Sequence, residues 1–179
     1  MPDISGVEHA DRFSMPPEGD HEPMEIAARL IAETGEFDHL RVGEASIVFI
    51  MREFDREKGQ KAILGTMNLP KISGELGQIF LWMLARMCGG LPDFVMILDA
   101  EWWRQADPRQ REALVYHELK HAVHAIDKHG ELRFTEEGMP IWDIVAHDVE
   151  AFNGEIERYG AWKSDLVGFL AAAKRGGAL

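Results

Sequence analysis

Asp107-Pro108-Arg109-Gln110-Arg111-Glu112-Ala113-Leu114-Val115-Tyr116-His117-Glu118-Leu119-Lys120-His121 is the stretch around which the chain is read. Asp107 has the short acceptor side chain of an N-cap, Pro108 suits the first helical position, and Gln110 completes a D-x-x-Q capping box. A helix is therefore expected from Pro108 to about Ala125, with Leu114, Val115, Leu119, Ala122, Val123 and Ile126 apolar. On it His117 and His121 stand four apart, about 40° around the axis and about 6 Å along it. Two imidazoles so placed can reach one metal ion. Glu118 follows the first histidine, where the H-E-x-x-H pattern puts its general base. A solvated helix that happens to carry two histidines is the competing reading, and the surroundings have to decide.

Composition narrows the choice. At 179 residues, with 46% hydrophobic and 28% charged residues, the chain reads as one soluble globular domain. The net charge of -12 repels phosphate backbones, so no nucleic-acid partner is expected. The single cysteine, Cys88, excludes an internal disulfide, suits a reducing cytoplasm and is expected as a buried thiol. Met1 to Glu22 is polar and acidic, without the apolar run of a signal peptide. Gln78 to Met87 is apolar but contains Arg86 and is too short to span a bilayer, so no membrane role is expected.

Along the chain, residues 1–22 are expected as a mobile arm, 23–175 as a single domain and 176–179 as a frayed tail. A short amphipathic helix begins near Pro23 and stops at Gly35, followed by a helical turn around His39-Leu40. Ser46–Met51 and Lys61–Thr66 read as strands joined in a hairpin, and Asp93–Asp99 as a third strand. Between them Ser73–Cys88 reads as a helix packing the stripe Leu76, Ile79, Phe80, Met83, Leu84 and Met87 on the core. Trp102-Trp103 is expected to lie over that core. Short strands are expected at Leu132–Phe134 and Ile141–Val145. A helix from His147-Asp148 to Gly160 and another over Asp165–Lys174 complete the chain.

A catalytic zinc site takes three protein ligands and leaves a position for water. His147 and Glu150, three apart on one helix face, are the candidates for the third. His147 is preferred, because neutral imidazole costs less to desolvate than a carboxylate; Glu150 is the alternative. Asp148 reads as an N-cap, or as the acceptor that fixes a ligand histidine's tautomer. His124 lies about 10 Å along the helix from His117, too far to share one ion, and His129 reads as a loop residue. Tyr159 reads as a core residue, with an oxyanion donor as the alternative role for it or Arg158.

Asp93–Ile97, Ala100-Glu101-Trp102-Trp103, Gln110 to His121, His147 to Phe152 and Arg158 to Trp162 together resemble the putative phage metallopeptidase family, with a likeness over roughly residues 24–162. The order of elements also resembles the wider zincin and SprT-like metalloprotease fold. The resemblance implies an α+β, zincin-like fold in which a small mixed or antiparallel sheet packs on the H-E-x-x-H helix. In SprT-like members the third ligand is a histidine opening a later helix, which favours His147; in gluzincins it is a glutamate, which keeps Glu150. The DNA association of SprT-like proteases is not carried over to so acidic a chain.

The expected function is a Zn2+-dependent peptidase in the cytoplasm, that of a bacterial host if the chain is phage-encoded. Glu118 would be its general base, and a peptide or protein its substrate. The strand Asp93–Leu98 is the expected edge for an extended peptide. The alternative is a catalytically silent zincin-fold module that binds or inhibits a host protein, for which the intact Glu118 would have no use. Neither the substrate nor the oligomeric state is set by the sequence.

Overall fold

The computed structural model describes residues 12–16, 22–58, 61–146 and 153–175. In chain order its elements are β1 (Phe13–Ser14), α1 (Glu22–Glu33), α2 (Asp38–Val42), β2 (Ile47–Arg52), β3 (Glu57–Lys58), β4 (Lys61–Ala62), β5 (Gly65–Asn68) and α3 (Gly74–Cys88). They continue with β6 (Phe94–Asp99), α4 (Ala100–Gln105), α5 (Pro108–His121), β7 (Ala122–His124), β8 (Trp142–Ile144), α6 (Asn153–Tyr159) and α7 (Ser164–Arg175). The architecture is α+β, a small mixed sheet with several helices.

The two most β-branched and apolar runs, β2 and β6, form the centre of the sheet. They pair in parallel from Ile47↔Phe94 to Arg52↔Asp99. The sheet order is β1-β2-β6-β5, with β1 antiparallel to β2 and β5 antiparallel to β6. This corrects the expected hairpin: β6 inserts between the strands of Ser46–Met51 and Lys61–Thr66. Among the described residues the local pairing there is the small β3–β4 ladder, Glu57↔Ala62 and Lys58↔Lys61. It also corrects the expected substrate edge, because β6 has both sides occupied and, among the described residues, β5 is the outer strand on its side of the sheet.

Phe94, Met96 and Leu98 of β6 are buried with Leu30 of α1, Leu40 of α2 and Leu114 and Leu119 of α5, so the core lies between the sheet and these helices. At the ends of β2 and β6 the buried Arg52 Nη2 stands 2.8 Å from Asp99 Oδ2 and also bonds the Ile63 carbonyl. Asp99 Oδ1 meanwhile accepts from Trp102 N at 2.9 Å, capping α4. Trp102 and Trp103 both pack on the core as expected, Trp103 buried and Trp102 partly so, edge-on to Trp162 at 6.2 Å between ring centres.

Two expectations about helices change. α5 ends at His121, not Ala125, because the next three residues pair with Trp142–Ile144 and the chain turns extended at Ala122 (φ −80°, ψ 116°). Leu132–Phe134 is not a strand; isolated bridges Ile126↔Leu132 and Phe134↔Pro140 extend this ladder. α3 forms where expected, yet of its residues only Gly77 and Leu84 are buried, and Leu76 is 81% exposed. The reason is topological: α3 sits in the connection between two antiparallel neighbours, β5 and β6, so nothing makes it cross a face of the sheet. Cys88 at its end is exposed, not buried as expected. In the segment expected as an arm, Phe13↔Arg52 and Ser14↔Met51 pair.

Candidate metal centre

α5 starts where its sequence says. Asp107 Oδ1 accepts from Gln110 N at 2.9 Å and Gln110 Oε1 accepts from Asp107 N at 3.0 Å. From Ala113 to Leu119 every residue of the helix is buried, His117 and Glu118 among them. The cap thus delivers two polar side chains into the core, each of which has to be accounted for.

His117 and His121 lie together, their ring centres 5.2 Å apart. His117 Nδ1 donates to Glu155 Oε2 at 2.5 Å, and His121 Nδ1 donates to the Val145 carbonyl at 2.6 Å. Each neutral ring therefore carries its lone pair on Nε2, the tautomer a metal ligand needs. Burial pulls His117 down to about 4 against the hydrogen bond to Glu155, and burial likewise lowers His121. Both are thus neutral near pH 7.

Glu155 is fully buried on α6 and is also held by Trp162, whose Nε1 donates to Oε1 at 2.5 Å. Burial alone would raise its carboxyl, yet the hydrogen bonds from His117 and Trp162 and the Lys163 charge leave it below its ordinary value. It is an ionised acceptor that orients His117. Lys163 stands 4.6 Å from the centre of the Trp162 ring, and its charge acts on His117, Glu118, His121 and Glu155 alike.

Glu118 is 3% exposed. Burial pushes its carboxyl up to about 8, opposed by Lys163 and by a hydrogen bond from the Met67 backbone. Its Oε2 is buried without a hydrogen-bond partner among the described residues. β5 makes room for it: a Cβ at Gly65 would lie 2.6 Å from Glu118 Oε1 and 3.0 Å from its Cγ.

The structure brings His117, Glu118 and His121 together, while His147, Asp148 and Glu150 lie outside the described residues. Among the described residues no group of three or more His, Cys, Asp or Glu side chains is placed to hold a metal. His124 is off the helix and its Nε2 donates to the Arg133 carbonyl at 2.7 Å. Tyr159 is a buried residue whose hydroxyl donates to Glu112 at 2.9 Å. Glu155, Trp162, Lys163 and Gly65 were missed by sequence reasoning. Only Gly65 carried a signal, since a glycine in a strand marks a close approach. A cavity of 510 Å³ at the start of α5 is lined by Arg29, Arg109 and Arg158 and lies apart from these histidines.

A family model described as Putative phage metallopeptidase matches residues 18–173. The chain belongs to this family. No curated relative and no solved structure matches it. Membership in the phage metallopeptidase family implies a metal cofactor and a peptide or protein substrate. The described residues fit a metal: two neutral imidazoles with oriented Nε2 lone pairs, and beside them a buried carboxylate oxygen without a partner. No described helix is long and apolar enough to cross a membrane.

Proposed function

We propose that the chain is a zinc-dependent peptidase on a zincin-like scaffold, with His117 and His121 as metal ligands and Glu118 as general base. The third ligand is His147, with Glu150 as the alternative, and Asp148 serves as an acceptor near them. The observation that carries this reading is the shared tautomer of the two histidines, fixed by Glu155 on one ring and the Val145 carbonyl on the other. A solvated pair of surface histidines needs no such supports, least of all the fully buried Glu155.

A zinc ion held there supplies Lewis acidity, polarising a carbonyl and making water a stronger acid. The chain's own residues do the rest. Glu118 takes a proton from the attacking water and returns it to the leaving amine. Burial keeps its carboxyl at about 8 even with the Lys163 charge beside it, and a zinc ion held at the histidines would add the positive charge that favours the ionised form a base needs. Glu155 keeps the His117 ring in place, and the Lys163 ammonium adds positive potential where negative charge develops on the carbonyl oxygen.

The outer strand β5 is the place for substrate. Asp99 N–H donates to the Leu64 carbonyl, so alternation turns the backbone groups of Gly65 and Met67 away from β6. The Met67 N–H is used by Glu118, and the carbonyls on this edge suit pairing with an extended peptide. The test is a peptide-library digest with zinc-loaded protein. Glu118→Gln should keep its metal and lose cleavage; a variant that still cleaves, or a wild type that binds zinc and cleaves nothing, sinks the proposal.

A further inference from the structure

α3 turns its apolar side outward. Leu76, Phe80, Met83 and Met87 follow one another at spacings of four, three and four, the seam of a helix that pairs with another helix. All four are exposed, Met87 by 72%, and Ile79 and Trp82 extend the same surface along one flank. The exposed parts of these six side chains amount to roughly 800 Å², comparable with what one partner contributes to a stable interface. Only two charges lie on the helix, Glu75 and Arg86, and neither has an ion-pair partner among the described residues.

We propose that α3 is the contact of a two-fold symmetric homodimer, packed antiparallel on α3 of a second copy. An antiparallel crossing near Leu81 sets Leu76 against Met87 and Phe80 against Met83 across the seam. On the rim it brings Glu75 of each copy to Arg86 of the other, at both ends of the contact. The surface is complementary to itself, as a two-fold interface has to be. A parallel pairing would leave Glu75 of each copy about 16 Å along the axis from Arg86 of the other, so neither charge pair could form. Each chain carries a net charge of -12, but Glu75 and Arg86 cancel within α3, so two copies meet there without like charges in contact. A membrane surface is a poorer occupant, since a helix lying on lipid carries a basic polar face and α3 has one arginine.

The test is sedimentation of the full chain across micromolar concentrations. Wild type should sediment as a dimer, at twice 20.2 kDa. Phe80→Glu with Met83→Glu should give a monomer with unaltered circular dichroism, melting lower only by what dimerisation contributes. Glu75→Arg alone should weaken the dimer by roughly tenfold, and adding Arg86→Glu should restore it. A monomeric wild type overturns the proposal and leaves the face to a different protein or surface. A dimer indifferent to the α3 changes, or a charge swap that fails to restore it, overturns it equally.

Discussion

Glu118 holds its place because residue 65 has no side chain. Gly65→Ala would put a methyl 2.6 Å from the Glu118 carboxylate, and the carboxylate would have to move. Because a misplacement of about 1 Å can cost roughly 100-fold in rate, cleavage should fall roughly 10- to 100-fold with metal content unchanged, as turnover and elemental analysis would read. Burial gives Glu118 a second signature in metal-free protein. Burial pushes its carboxyl up to about 8 in the folded state against an ordinary 4.5, so between those values the folded state keeps a proton the unfolded state has lost. Stability contributed here is present below pH 4.5 and is lost as pH rises toward 8. Glu118→Gln lacks this loss, so its melting temperature should gain on wild type from pH 5 to pH 8; parallel profiles would contradict the burial argument. The histidines and Glu118 were legible because four-residue spacing on a helix is a local property. Glu155 was not, since it lies 38 residues from His117 and only the packing of α6 on α5 joins them.

At the scale of elements, local signals held and distant pairings did not. The capping box at Asp107 placed the start of α5 to the residue, whereas its end was set by pairing with Trp142–Ile144, twenty residues away in sequence. β2 read correctly as extended, while the expected strand Lys61–Thr66 divides into β4 and the first two residues of β5, and the strand that separates β2 from β5 comes later in the chain. The helical stripe of α3 showed a periodicity without saying what covers it. The join between β2, β6 and α4 makes a prediction of its own. Asp99→Ala would strand the Arg52 guanidinium in the core and uncap α4. The cost should be about 3–5 kcal/mol, read as a lowered urea midpoint with an unchanged slope. Replacing both residues by apolar ones of similar volume should recover most of that loss.

At the scale of the whole molecule, the fold is a sheet that supports one buried helix. The α+β class was what the family resemblance implied, in keeping with the apolar strands and helices read along the chain. What the sheet adds is the outer strand β5, which stands beside Glu118 and supplies its Met67 hydrogen bond. Scaffold and chemistry therefore meet at one place, the pair of histidines with their Nδ1 atoms fixed. The most direct test is the zinc content per chain of protein purified through a metal-buffered step. Wild type and Glu118→Gln should each hold one zinc, His117→Ala should hold none, and Glu155→Gln should bind 10- to 100-fold more weakly, on the order usual for a lost histidine support. Wild type without zinc, or full occupancy retained in His117→Ala, would contradict the account.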